Sequence, residues 1–183
     1  MLTEEQLQDI FELADLMSNG DRELFITLRE VVFATDPNKI LDDMERILDP
    51  VTFDQFIAKV GESEKENLWL ILMTLLENGE YICVRNHKDQ LTDFIHYFDR
   101  LQHVQSAGIS LALDSDGLVP TATIPEWAAV IDRKYGNEGY CLGAVDINSD
   151  SYVLFFNQKA QFDRIQELAQ NVGYTIKLAE QLS

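Results

Sequence analysis

The sequence predicts an α+β protein in which an N-terminal helical layer packs on a mixed β-sheet of about five strands with flanking helices. Two observations predict this fold. Residues 68–76 are apolar except for Thr74, and from residue 81 onward strand patterns alternate with helical ones. A segment that is apolar on nearly all sides must be enclosed by other elements. We therefore expect the remaining elements to pack around residues 68–76.

Four amphipathic helices are predicted before this segment, each beginning at a residue suited to capping. Thr3 with Gln6 forms a capping-box pattern, and Asp21 can accept hydrogen bonds from the first turn of the second helix. Asp36 and Asp49 each precede a proline, which is favoured at the first helical position because its missing N–H would have no partner there. Such short helices need a shared apolar layer to be stable in water.

The part of the chain from residue 81 onward is predicted to contain five strands and three helices. The strands are expected over residues 81–85, 109–113, 140–147, 152–157 and 174–178, and the helices over residues 88–104, 125–135 and 159–172. The third and fourth strands form a predicted hairpin. An Asp-Ser-Asp-Gly turn follows the second strand at residues 114–117.

The chain is expected to divide into an N-terminal helical layer, residues 1–62, and an α/β part, residues 63–183, within one compact domain. Two strand–helix units of the second part share residues at a constant offset of 71, with Tyr81, Asn86, Lys88 and Gln90 matching Tyr152, Asn157, Lys159 and Gln161. Internal duplication and independent use of the same capping chemistry both explain this match.

The net charge of the chain limits the classes of molecule that it can bind. Lys and Arg total 14 against 32 Asp and Glu, which gives a formal net charge of -18. Half of that charge lies in residues 1–50, which hold thirteen acidic and four basic residues. Since this charge repels nucleic-acid phosphate and anionic lipid, we expect neither nucleic acid nor a membrane as partner. The charge serves solubility, or it steers the chain toward a basic protein.

The two cysteines indicate a reducing compartment. Cys83 and Cys141 each lie in a predicted buried strand, whereas reactive thiols need an exposed and electropositive setting. We expect two free thiols. The first residues lack a signal-peptide pattern, and the longest apolar run is about half of the roughly 20 residues that a membrane span needs. A cytoplasmic location is therefore expected.

Two stretches resemble an uncharacterised bacterial family of unknown function. They are WLIL and LLENGEY at residues 69–81, and AVDINSDSY at residues 144–152. In that family an apolar helix also leads into a strand, and a later hairpin holds an Asp-rich turn. The resemblance covers roughly the last 120 residues. It implies a cytosolic α+β protein without an assigned reaction.

The Asp-rich hairpin turn is a candidate cation site. Asp146, Asn148 and Asp150 have the alternate spacing of the first three ligands in a calcium loop. The later positions do not match, because Ser151 stands where glycine is needed and Asn157 replaces the bidentate glutamate. A plain hairpin turn is the favoured interpretation, and a weak divalent-cation site is the alternative.

A second candidate cluster lies on the predicted helix at residues 88–104. His96, Asp99 and His103 fall within a narrow arc of that helix, with Asp89 close by, and His with carboxylate ligands suits zinc. The two histidines are about 10.5 Å apart along the helix axis, which is too far for one ion to bind both. A solvated polar face is the favoured interpretation.

The chain lacks four common catalytic or nucleotide-binding signatures: it has no Gly-x-Ser-x-Gly elbow, no His-Glu-x-x-His, no phosphate loop and no Gly-x-Gly-x-x-Gly. An active site formed by residues that are far apart in the sequence stays a possible alternative. Residues at the end of the predicted helix 125–135 and just after it could line a cleft, or they could be exposed helix-end groups: Asp132, Arg133, Lys134, Tyr135, Gly136 and Tyr140.

The favoured function is therefore a non-catalytic intracellular binding or regulatory protein, without a cofactor, whose acidic face contacts a basic protein partner. Toxin-neutralising immunity-type proteins are one class with this size and charge. One alternative is a metal-assisted hydrolase that uses the carboxylates of Asp146 and Asp150. Another is a homo-oligomeric structural protein in which part of the apolar helix at residues 68–76 forms the interface.

Overall fold

The structure, a computed structural model, describes residues 2–34, 36–61, 63–147 and 149–182. Contacts divide the chain into two compact units, Met1–Asn78 and Gly79–Ser183. The division falls after the apolar helix, whereas the boundary expected from the sequence precedes that helix. The described residues of the first unit are helical, and the second unit contains an antiparallel sheet with helices. The predicted α+β class is confirmed.

Five α-helices form in the described residues of the first unit. They are α1 (Glu4–Ser18), α2 (Arg22–Val32), α3 (Pro37–Ile47), α4 (Pro50–Lys59) and α5 (Glu64–Asn78). The side chains of Thr3, Asp21, Asp36 and Asp49 each accept a hydrogen bond from a backbone N–H in the first turn that follows. These bonds satisfy donors that have no partner within the helix. The four predicted helices and their starts are thus confirmed.

The apolar helix α5 is buried, as predicted. Trp69 and Ile71 are each 6% exposed, and Leu72 and Leu76 are completely buried. Within the first unit α5 packs against α1, α2 and α4, which present their own apolar stripes. Neither α5 nor any other helix in the described part of the chain has the length and apolarity that crossing a membrane requires.

The sheet of the second unit has four strands in the order β1-β3-β2-β4. They are β1 (Ile82–Asn86), β2 (Tyr140–Asp146), β3 (Ser151–Gln158) and β4 (Thr175–Leu178). All three neighbouring pairs are antiparallel. The expectation of a mixed sheet is therefore wrong. The alternation of strands and helices suggested that successive strands are parallel neighbours joined by helical crossovers. Three helices do lie between β1 and β2 in the chain, but in the sheet these two strands are separated by β3.

The fifth predicted strand does not form, because residues 109 and 110 have no regular structure and residues 111–113 form a turn. Ile109 and Leu111 are buried, as their alternation predicts. Their segment finds no neighbouring strand, however. The backbone N–H groups of Leu111 and Ala112 donate to the carboxylate of Asp99 at 2.8 and 3.0 Å. A side chain thus satisfies backbone donors that a strand would have paired with another strand.

The second unit also contains four α-helices among its described residues. They are α6 (Leu91–Arg100), α7 (Gln102–Ser106), α8 (Ile124–Tyr135) and α9 (Lys159–Asn171). The single helix predicted over residues 88–104 is split at Leu101, which is 2% exposed and has an extended ψ of 134°. The N–H group of Gln102 donates to the carbonyl of Glu80 at 2.9 Å, so the break leaves this donor paired.

Both faces of the central strands β2 and β3 are covered. Leu142 and Phe156 belong to a cluster with Phe98 and Trp127 from the helices α6 and α8. On the other face, Phe155 stacks on Phe162 of α9. Coverage on both faces explains why these strands are almost continuously apolar.

One position in β2 accepts only glycine. A Cβ atom on Gly143 would lie 2.5 Å from the ring of Phe155 and 2.8 Å from the ring of Phe162. Real Cβ atoms essentially never approach a neighbour so closely. The close packing of these two rings on the sheet therefore depends on the missing side chain.

Candidate functional site

The most distinctive surface feature of the second unit is the segment between α7 and α8, residues 107–123, termed the α7–α8 loop. It contains no helix or strand. Loops longer than about 12–15 residues are uncommon in compact domains and are usually functional or disordered. This loop is ordered, because its side chains Ile109, Leu111 and Leu118 are buried in the core of the unit.

Asp99 on α6 holds the first half of the loop. Its two oxygens accept hydrogen bonds from the N–H groups of Leu111 and Ala112 and from the hydroxyl of Ser110, the last at 3.3 Å. The split between α6 and α7 also places His103 on a different helix from Asp99. The polar arc that the sequence indicated is therefore not one helix face, and Asp99 anchors a loop.

The end of α8 holds the second half of the loop. The ammonium group of Lys134 donates to the carbonyl of Asp114 at 3.1 Å and to its carboxylate at 3.0 Å, and the Tyr135 hydroxyl lies 3.3 Å from the other carboxylate oxygen. The hydrogen bond from Lys134 lowers the pKa of Asp114 below its ordinary value. Trp127 adds an indole N–H bond to the carbonyl of Val119 at 2.7 Å.

Between these anchors the loop presents residues 112–117 to solvent. Leu113 is 91% exposed, the largest exposed fraction of the large apolar side chains found exposed in the described residues. Asp114 and Asp116 follow it directly. A leucine held in water by a firmly anchored backbone can enter an apolar pocket of another molecule, so this segment is the candidate functional site.

Sequence reasoning missed Leu113, because its alternation with Ile109 and Leu111 predicted a strand that would bury all three. The turn sequence that begins at Asp114 was the one local indication that the strand-like alternation ended there. The sequence left open whether Lys134 and Tyr135 line a cleft or are exposed helix-end groups, and in the structure both contact the carboxylate of Asp114.

Asp132 on α8 is a partly buried carboxylate beside β2. It accepts a hydrogen bond from the N–H group of Leu142 at 2.9 Å. Burial raises the pKa of Asp132 to about 6, and Glu180 adds to this rise, while the Leu142 N–H and Lys159 oppose it. Burial also raises the pKa of the neighbouring Cys141 thiol to about 12. Cys141 and Cys83 form no disulfide bond and both are buried, as predicted.

Replacing Asp132 with asparagine is expected to stabilise the protein above pH 6. The folded-state pKa of about 6 lies above the ordinary value of 3.8, so the folded protein binds the extra proton between these values and loses stability as the pH rises through them. Asparagine keeps the acceptor for Leu142 and removes the charge. We expect a gain on the order of 1–2 kcal/mol at neutral pH, below the roughly 3 kcal/mol that the full shift would give.

Urea unfolding between pH 4 and pH 8 measures this effect. The exposed Asp163→Asn variant on α9 is the control and should keep the wild-type dependence on pH. An identical pH slope in wild type and Asp132→Asn would contradict the assignment.

The two described residues of the candidate cation site, Asp146 and Asp150, lie at the β2–β3 hairpin. The carboxylate of Asp146 lies 3.3 Å from the ammonium group of Lys177 on β4. Asp150 is exposed, and its carbonyl accepts the N–H of His87 at 2.8 Å. Asn148 lies outside the described residues. Among those that are described, no group of three or more His, Cys, Asp or Glu side chains is placed to hold a metal ion. The cation site stays a prediction.

Comparison with known families gives a match. The family described as Domain of unknown function (DUF6630) matches residues 9–179. This match includes nearly all of the chain, whereas the resemblance seen in the sequence covered only about its last 120 residues. Searches against curated proteins and against solved structures gave no significant match. The chain therefore belongs to the DUF6630 family, a domain family of unknown function.

Proposed function

We propose that this chain is a non-catalytic, cytoplasmic protein-binding module that contacts a basic protein partner through the α7–α8 loop. The observation that carries the proposal is the position of Leu113, 91% exposed on a loop that is anchored on both sides. Regulatory proteins and immunity-type inhibitors are classes of protein that act in this way. Cys83 and Cys141 are buried and form no disulfide bond, which supports a reducing compartment.

The anchors favour binding because they order the loop in advance. A flexible loop loses conformational entropy when a partner binds, whereas a loop already held by Asp99 and Lys134 loses little. Transfer of a fully exposed leucine into an apolar pocket contributes about 1.5–3 kcal/mol. Leu113 can therefore act as a central anchor of an interface.

The charges around Leu113 define the partner. Asp114 is partly neutralised by Lys134, but Asp116 is exposed, and the second unit as a whole has fourteen acidic and eight basic residues. A complementary partner has an apolar pocket with lysine or arginine at its rim. Attraction between opposite charges raises the association rate and weakens as salt is added.

Replacing Leu113 with serine tests the proposal. We expect this variant to fold normally, because the side chain is exposed, and to bind the partner at least about tenfold more weakly. The partner is first captured from a lysate of the source organism at low salt, and its affinity for each variant is then measured by calorimetry. Ile147→Ser, which removes another exposed apolar side chain of the same unit, is the matched control.

The proposal requires that Ile147→Ser binds as the wild type does, that the captured protein is basic, and that salt weakens the complex. Equal binding by Leu113→Ser and the wild type would contradict it. So would binding that is insensitive to salt, or capture of nothing except a second copy of the chain.

A further inference from the structure

The first unit contains a cavity between α2 and α3, termed the α2–α3 cavity. Its volume is about 750 Å³. Small-molecule sites in proteins have volumes of about 300–1,000 Å³, so the size suits a small ligand. Its lining includes the apolar side chains Ile26 and Phe33 and the basic side chains Arg29, Lys39 and Arg46.

Positive charge is concentrated in this cavity, although the unit around it is strongly acidic. Residues 1–78 contain eighteen acidic and six basic residues, and three of the six basic residues line the cavity. Among the described residues of the lining, two are acidic, Glu30 and Asp43. The cavity thus has an excess of positive charge inside a unit whose formal charge is -12.

Of the three basic side chains in the lining, Arg46 is paired with a carboxylate. Asp43 is 8% exposed, and one of its oxygens lies 3.3 Å from the guanidinium group of Arg46. Within the described residues, no ion pair joins Arg29 or Lys39 to a carboxylate. Both are exposed, so each can turn toward a bound anion.

The apolar part of the lining is also open. Phe33 is 66% exposed and Ile26 is 44% exposed. Large apolar side chains beside unpaired cations match a ligand that carries both an anionic group and an apolar group. A polyanion is a poor match, since the rest of the unit would repel it.

We infer that the α2–α3 cavity binds a small organic anion, with Arg29 and Lys39 at its carboxylate or phosphate group and with Phe33 and Ile26 at its apolar part. This inference does not depend on the α7–α8 loop or on the proposed protein partner, so either proposal can fail without affecting the other.

A titration of the full chain with three related probes tests the inference. Benzoate and phenyl phosphate carry the same ring with different anionic groups, and benzyl alcohol is their neutral counterpart. Amide chemical shifts in two-dimensional NMR report binding in a chloride buffer without phosphate. We expect saturable binding of at least one anion, with shifts at Arg29, Phe33 and Lys39, and much weaker binding of benzyl alcohol. The tighter of the two anions identifies the preferred anionic group.

Variants then separate this site from general attraction to charge. The double variant R29Q/K39Q is expected to raise the Kd of the bound anion about tenfold, because two charge-assisted contacts are lost. R22Q is the matched control, since Arg22 is an exposed cation of the same unit that does not line the cavity. Equal effects of R22Q and R29Q/K39Q, equal binding of benzyl alcohol, or no saturable binding of either anion at millimolar concentration would each overturn the inference.

Discussion

Replacing Asp89 with leucine is expected to destabilise the second unit by about 3–5 kcal/mol, because it leaves the Arg85 guanidinium without its carboxylate. Two hydrogen bonds of 2.7 Å join Arg85 to Asp89, and their side chains are only 16% and 6% exposed. The hydrogen bonds that Arg85 donates to Asp89 raise the pKa of Arg85, so the arginine stays charged. After the substitution, the guanidinium still has the ring of Tyr97 beside it, with the ring centroid 4.0 Å from the guanidinium carbon.

The double variant R85M/D89L is the control for this prediction. It removes both charges and fills the space with apolar atoms, so we expect it to recover most of the lost stability. The exposed pair Arg100–Glu80 gives a second comparison, since R100A should cost about 1 kcal/mol or less. Urea unfolding of all the variants gives the free energies. Equal losses in D89L and R85M/D89L would show that packing, and not the unpaired charge, sets the cost.

Replacing Trp127 with alanine is expected to cost about 3–5 kcal/mol, the usual cost of removing a large buried aromatic side chain. Trp127 is 1% exposed, and its ring centroid lies 5.2 Å from that of Phe94. The substitution also removes the indole donor that binds the carbonyl of Val119. It therefore weakens both the core of the second unit and one anchor of the α7–α8 loop.

Trp127→Phe separates these two effects. Phenylalanine keeps most of the ring but not the donor, so we expect a loss of about 1–3 kcal/mol. Hydrogen exchange should become faster at the amides of Leu118 and Ala122, whose bonds lie within the loop, and should change less at the amides of the central strand β3. Circular dichroism follows unfolding in both variants. Unchanged exchange at the loop amides of Trp127→Phe would contradict the anchoring role.

Local signals were sufficient wherever a structure depends on residues close together in the chain. The helix starts at Thr3, Asp21 and Asp49 were predicted because each cap binds an N–H group three residues later. Burial of α5 was also predicted, since a helix that is apolar on nearly all sides has no face suited to water.

Local signals failed where a residue's hydrogen-bond partner is distant in the chain. Residues 109–113 have the alternation of a strand, but the backbone donors of Leu111 and Ala112 bind Asp99, which precedes them by more than ten residues. For the same reason the sequence assigned Asp99 to a polar arc with two histidines. Nothing near residue 99 indicates which distant donors its carboxylate accepts.

The candidate sites show the same division. The acidic composition was readable from the sequence, and it led to the expectation of a basic partner. The exposure of Leu113 could not be predicted from the sequence, because it depends on side chains of α6 and α8 that anchor the loop. The clustering of Arg29, Lys39 and Arg46 around one cavity depends on how α2 meets α3.

The amino-acid sequence by itself determined the helix starts, the buried helix α5, the four strands of the sheet and the net charge of this protein. These properties follow from the preferences of residues that are neighbours in the chain. Only the tertiary structure decided the antiparallel order of the strands, the ordered loop that exposes Leu113 and the basic lining of the α2–α3 cavity. Each of these requires contacts between distant segments, and such contacts form only when the chain is folded.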